Sequence, residues 1–265
     1  MSLLWTPQYA DGQYIAAGTQ YTSPSETFGT GFSIAFVYNF ICRISGFSSV
    51  TIAGVTASLL ASGTDYSTTC WGAATTGSGT VVVNSPASFL QDILTTGGLL
   101  TGSTNTVYDH QGYGSGSTYT ADPQTLPSLS IPAGGVGIVC IGGGVATQGN
   151  PTTWAGCTST SSDEEAGPTT GASAAEIAMA HSTTTGGVVI SATGNNGSGW
   201  GYAGSAILAV SFSPSGAAAG TPYNPWPQMG PILAQRTMIG WKKTLKGLWY
   251  PERKPKRPLW TPAYG

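Results

Sequence analysis

Apolar and polar positions alternate along most of this chain, and the alternation predicts strands. FGTGFSIAFVYNFICR, from Phe28 to Arg43, alternates and is rich in β-formers. SSVTIAGVTASLL, YSTTCWGA and TVVVN follow, separated by the turn signals Ala-Ser-Gly-Thr-Asp and Thr-Thr-Gly-Ser-Gly. SFLQDIL (Ser88–Leu94) fits a strand or a short helix. Residues 95–124 are rich in Gly, Ser, Thr and Tyr and read as an exposed loop that holds one short strand, TVYD. A second block from 126 to 213 contains SLSIP, GGVGIVCIGGG, AAEIAMAHS, GGVVISATG and SAILAVSFSP. AAEIAMAHS is built of helix formers, but its place among strands predicts a strand. Thr152–Gly171 and Asn195–Tyr202 read as loops.

Roughly eight to ten strands at this spacing predict an all-β fold, a jelly-roll-like β-sandwich over residues 28–213. No long helical pattern separates the strands, which argues against a parallel α/β sheet.

The flanks differ from this block. Residues 1–27 have little periodicity and read as an extended N-terminal arm lying on a surface. Residues 214–235 form a Pro/Gly linker with Tyr223 and Trp226 as aromatic anchors. In residues 236–265, Met238, Trp241, Leu245 and Leu248/Trp249 have helical spacing, with Lys242, Lys243 and Lys246 largely opposite. Gly240 and Gly247 weaken such a helix, so its order is expected to depend on a partner. Pro251 ends it. The hexapeptide Leu-Trp-Thr-Pro-x-Tyr occurs twice, at Leu4–Tyr9 and Leu259–Tyr264. Proline fixes φ while Trp and Tyr offer apolar faces with polar handles, so each copy is a stiff aromatic plug.

Charge sharpens this division. Only 8% of residues are charged, against roughly 25% in an average soluble protein, so hydroxyls, amides and glycines, or neighbouring subunits, must cover much of the surface. Residues 1–235 hold one basic and ten acidic residues, a net −9, while residues 236–265 hold eight basic and one acidic, a net +7. A body of one sign joined to a tail of the other is an interaction signature. The tail is expected to dock on an acidic protein surface. Phosphate neutralisation on nucleic acid and an anionic membrane are the weaker fits. Three prolines among its charges favour an extended, wrapping arm.

Motifs for chemistry are sparse. Asp163-Glu164-Glu165 is the only acidic cluster, and three consecutive acids cannot face one site; a solvated loop or a weak calcium site fits better than catalysis. Asp109-His110 could orient an imidazole for a serine, yet no G-x-S-x-G elbow accompanies it. Gly142-Gly143-Gly144 follows an apolar strand, but Thr147 breaks the dinucleotide fingerprint, and the first lysine of the chain is Lys242, so no phosphate-binding lysine motif exists. Asn196-Gly-Ser198 is a glycosylation sequon. Cys42, Cys70, Cys140 and Cys157 lack metal-ligand spacing; buried thiols are expected, with one or two disulfides as the alternative. No basic-plus-apolar leader pattern is visible, and the apolar stretch around Phe32–Cys42 is too short to span a bilayer. The expectation is a non-enzymatic protein without cofactor or metal.

Over residues 48–213 the strand block resembles a known group. SSVTIAGVTASLL, TTCWGAATTGSGTVVV, SLSIPAGGVGIVCIGGG, TWAGCTSTSS and AILAVSFSP are similar to the Gly/Thr-rich β-sandwich virion structural proteins of tailed bacteriophages and prophages. The resemblance implies a structural role in a virion and brings no catalytic residues with it. The expected role is a head-associated decoration, fibre or spike component, a homo-oligomer such as a trimer, whose partners are shell, neck or tail subunits. Its assembly contacts are expected at Trp5, Pro7, Tyr9, Trp241, Lys242, Lys243, Lys246, Trp249, Arg253, Lys254, Lys256, Arg257, Trp260, Pro262 and Tyr264. The alternative is a module that binds a host-surface glycan or receptor through Tyr108, Tyr113, Trp154, Trp200 and Tyr202, since loop aromatics can stack on sugars. Against that stands the plainer reading that Trp154 and Trp200 cap the core.

Overall fold

The computed structural model describes residues 3–39, 47–63, 68–86, 90–114, 124–145, 152–158, 174–194, 206–216, 241–243 and 249–251. Every regular element among them is a strand: β1 (Leu4–Gly18), β2 (Gln20–Thr22), β3 (Glu26–Asn39), β4 (Ser49–Ile52), β5 (Val55–Thr56), β6 (Ser58–Ser62), β7 (Thr68–Gly79), β8 (Val81–Asn84), β9 (Leu90–Thr101), β10 (Ser103–Gly114), β11 (Gln124–Thr125), β12 (Leu129–Ile131), β13 (Val136–Val145), β14 (Thr152–Ala155), β15 (Ala174–Ser182), β16 (Gly186–Val188), β17 (Ser191–Gly194), β18 (Ala206–Pro214), β19 (Trp241–Lys243) and β20 (Trp249–Pro251). The chain divides into two compact units, Met1–Gly220 and Thr221–Gly265.

The first unit is all-β and sandwich-like. Its two principal antiparallel sheets have the orders β1-β9-β3-β7-β6 and β10-β18-β13-β15. Between these two sheets the chain changes side once, at Gly102, whose φ of +71° suits a residue without a side chain.

Alternation along the central strands builds three cores. Ile34, Phe36 and Tyr38 of β3 meet Ile138, Cys140, Leu208 and Val210 between the two large sheets. Ala35 and Val37 point the other way, toward Tyr21, Val50, Ile52, Val81 and Val83 of the sheet β2-β8-β4-β5. Val139, Ile141, Ile207 and Ala209 likewise leave the first core and pack on Leu129, Ile131, Val188 and Ala192. Those residues belong to the short ladders β12-β16 and β11-β17-β14. The central strands are therefore buried on both faces, which is why they read as nearly continuous apolar runs.

Several expectations change. The arm expected over residues 1–27 holds β1 and β2, with β1 paired to β9 from Leu4↔Thr101 to Gly18↔Leu90. The body thus starts well before residue 28. The loop expected over 95–124 contains the end of β9 and all of β10, because its glycines sit where neighbouring strands press close. A Cβ at Gly97 would lie 2.0 Å from the Ile34 carbonyl oxygen. SFLQDIL contributes Leu90–Leu94 to a strand, and AAEIAMAHS is β15, as expected. Thr152–Gly171 opens with β14 rather than a loop; Asn195–Tyr202 lies outside the described residues.

In the second unit, β19 pairs antiparallel with β20, Lys242 lying opposite Tyr250. At Trp241–Lys243 and Trp249–Pro251 the chain is a strand rather than the expected helix, while Met238, Leu245 and Leu248 lie outside the described residues. Trp and Tyr favour strands, and the two glycines of the segment cost a helix about 1 kcal/mol each.

Candidate functional site

The first aromatic hexapeptide lies in a slot along β9. Trp5 stands opposite Leu100, Thr6 opposite Leu99, Pro7 opposite Gly98 and Tyr9 opposite Gly97. The register slips between Pro7 and Tyr9, leaving Gln8 without a partner on β9. Because β1 is the outer strand of its sheet, Pro7 can occupy it without breaking an interior ladder. The slip also changes facing. Trp5 enters the core between the two large sheets, whereas Tyr9 enters the core shared with the β2-β8-β4-β5 sheet. There the Tyr9 ring meets Phe28 edge-on, with centroids 5.6 Å apart.

Two glycines shape the slot. A Cβ on Gly98 would lie 2.3 Å from the Thr6 carbonyl oxygen, 2.8 Å from the Pro7 Cα and 2.9 Å from the Trp5 ring. A Cβ on Gly97 would lie 3.0 Å from the Tyr9 ring as well. Thr96 Oγ1 donates to the Tyr9 carbonyl at 2.9 Å, and Gln8 Nε2 donates to the Phe28 carbonyl at 3.1 Å. Gln8 Oε1 and Trp5 Nε1 are buried without hydrogen-bond partners.

The electrostatics beside the slot keep its phenols neutral. Burial, together with the adjacent Tyr21, pushes the Tyr9 phenol well above its ordinary range. Burial and a hydrogen bond donated to Asp11 Oδ2 raise Tyr21 in the same direction. Both groups hold their protons across the physiological range.

A groove of about 570 Å³ opens at the nearby rim. Thr30, Phe32, Thr76, Leu100, Ser103 and Asn105 are among its lining residues, and none of the lining side chains is charged. Asn105 holds a φ of +60°, with its N–H bonded to Ser103 Oγ at 2.9 Å.

The other predicted residues are scattered. Trp5 and Tyr9 are buried in their own chain, and Pro7 is half-buried. Trp241, Lys242, Lys243 and Trp249 lie in β19 and β20. Lys246, Arg253, Lys254, Lys256, Arg257, Trp260, Pro262 and Tyr264 lie outside the described residues. Tyr108 is half-buried in β10, and Tyr113 lies near the end of the same strand. Trp154 packs against the third core, the capping position, and its Nε1 is buried without a partner. Neither Tyr108 nor Trp154 lines the groove. Trp200 and Tyr202 lie outside the described residues.

The remaining candidates for chemistry resolve into structure or fall outside it. Asp109 is buried: Oδ1 accepts from the His110 N–H at 2.8 Å, and Oδ2 from the Ser130 N–H at 2.7 Å. Ser211 Oγ donates to the Ser130 carbonyl at 2.7 Å and accepts from the Asp109 N–H at 3.1 Å. This knot ties β10, β12 and β18 together, while His110 faces solvent. Gly142 belongs to β13, where Tyr38 covers it and a Cβ would lie 2.5 Å from the ring. Cys70 and Cys140 are buried thiols, raised well above 9.0 by burial. Cys42, Asp163–Glu165 and Asn196–Ser198 lie outside the described residues. Among the described residues, no three His, Cys, Asp or Glu side chains gather as a metal site.

The Gly97–Gly98 slot was not apparent in the sequence, although the repeated hexapeptide was its signal. Compared with family models, curated proteins and solved structures, the chain matches none.

Proposed function

We propose that this chain is a non-enzymatic structural protein of a bacteriophage virion, a head-associated decoration, fibre or spike component that works as a homo-oligomer. The observation that carries the reading is the division of the chain at Gly220. Eight of the nine basic residues fall in the second unit, giving it +7 against −9 in the first. Opposite charges on separate units of one chain suit a body fastened to its neighbours by a basic anchor. The hydroxyl-rich surface and the strand-pattern resemblance point the same way. The two packed antiparallel sheets support a sandwich body for this role, and the jelly-roll-like topology is part of the proposal. Since Trp5 and Tyr9 fill a slot in their own chain, the anchoring role falls on the second unit.

Removing residues 236–265 tests the reading. Incorporation into particles is expected to drop while the body keeps its melting temperature. Undiminished incorporation overturns the anchor.

A second reading, a host-surface glycan or receptor binder, is favoured by the uncharged groove, whose hydroxyls and amide surround the half-buried ring of Phe32. A glycan array supports it if a neutral sugar binds and Thr76→Ala with Asn105→Ala abolishes the signal.

A further inference from the structure

We propose that the slot along β9 is a docking site for the second hexapeptide, Leu259–Tyr264, of a neighbouring copy of this chain. The neighbour's segment would replace Leu4–Tyr9 as the outer strand. The setting rests on the reading of the chain as an assembly component; the contact itself rests on the slot.

The slot reads particular groups. Gly98 faces the Thr6 carbonyl, the Pro7 Cα and the Trp5 ring, and Gly97 faces the Tyr9 ring. Trp260, Thr261, Pro262 and Tyr264 supply the same groups in the same order and spacing. The interior difference is Gln8 against Ala263. Gln8 is the residue that β9 leaves unpaired, and one of its amide atoms is buried without a partner. Alanine there loses the bond to the Phe28 carbonyl but also removes that unsatisfied oxygen. The position that varies is thus the one the slot reads least.

Exchange is also topologically simple. In its sheet β1 is hydrogen-bonded to β9 alone, so one ladder opens and an equivalent ladder closes. Added edge strands bind through backbone hydrogen bonds, with side-chain pockets giving specificity. Within one chain the tethered first hexapeptide has the advantage of effective concentration; crowding of copies in an assembly removes it. The donor segment belongs to the +7 unit and the acceptor to the −9 unit, so charge favours the encounter between copies.

Cysteine cross-linking in the full chain tests this. Leu4 lies opposite Thr101, so Leu259 of a docked neighbour would take that place. The double variant Leu259→Cys/Thr101→Cys is mildly oxidised at high protein concentration, with each single variant as control for the native thiols. Leu4→Cys/Thr101→Cys reports the slot in its self-filled state. The expected result is covalent dimers and larger species about tenfold above the single variants. An excess of synthetic PLWTPAYG should suppress them, whereas a scrambled peptide should not. No enrichment over the controls overturns the proposal. So does cross-linking confined to single chains, or dimers indifferent to the peptide. Particle incorporation of the chain lacking 236–265 is a separate readout: normal incorporation with peptide-sensitive cross-links would remove the virion anchor and leave the docking site standing.

Discussion

Trp5 and Tyr9 lie four residues apart on one strand and enter different cores. In a regular strand, residues four apart share a face. The slip at Gln8 separates them, so a single unpaired residue lets one short peptide fasten two layers of the fold.

This relationship predicts opposite outcomes for two changes at one position. Gln8→Ala removes one hydrogen bond and one unsatisfied oxygen, so its cost is expected to stay within about 1 kcal/mol. Inserting one alanine after Gln8 shifts the facing beyond the slip by one residue and sends one aromatic ring to the wrong face. Its cost should approach that of Trp5→Ala, about 3–5 kcal/mol. Urea unfolding of the three variants measures the order.

Gly142 carries the next prediction. Its missing Cβ is the space that Tyr38 fills. Gly142→Ala should destabilise by about 1–3 kcal/mol through overpacking. In the Gly142→Ala/Tyr38→Leu double variant the two costs should add to less than their sum, because the shortened side chain removes the clash. A double-mutant cycle in denaturant reads the coupling, and strict additivity would contradict the packing described.

Asp109 is predicted to be structural. Asp109→Ala leaves the Ser130 and His110 N–H groups without their carboxylate acceptor, both in part-buried settings. The expected loss is about 1–3 kcal/mol. His110→Ala, which keeps both backbone bonds, should fall within about 0.5 kcal/mol. Thermal melts of the two variants distinguish this role from one that depends on the imidazole.

Stability should decline at both ends of the pH scale. Burial raises Cys70 and Cys140 above 9.0 and Tyr9 and Tyr21 above 10.0 in the folded chain. The unfolded chain releases those protons first, so stability falls once pH rises past the ordinary values. Cys70→Ala/Cys140→Ala should lessen the drop between about pH 8 and about pH 10.5. Burial lowers His181 below its ordinary 6.5, so the unfolded chain takes up that proton first and stability also falls as pH drops beneath 6.5. Urea midpoints of wild type and His181→Gln across that interval should diverge, with the variant changing less.

Alternation made β3, β8, β13 and β18 legible, because their side chains follow the two-residue period. The same pattern did not reveal that the central strands are covered on both sides. An apolar run tells that a strand is buried, not what lies on each face. The strands at 95–114 were hidden by Gly97, Gly98, Gly102 and Gly112. Glycine signals a turn when read alone, yet here Gly97 and Gly98 admit the backbones of neighbouring strands. The first hexapeptide was legible as an aromatic plug, but its target was not. Pro7 and the slip at Gln8 broke the alternation that would have identified β1 as a strand.

The pairing of β1 with β9 has a consequence for synthesis. Leu4 must wait for Thr101 before its ladder can close. At about 5–20 residues per second, that interval on the ribosome is roughly 5–20 s. Trp5 and Tyr9 remain in water throughout it, made early and seated late. If the second hexapeptide competes for the slot as proposed, timing and the proximity of other nascent copies, as well as affinity, would decide which one fills it first.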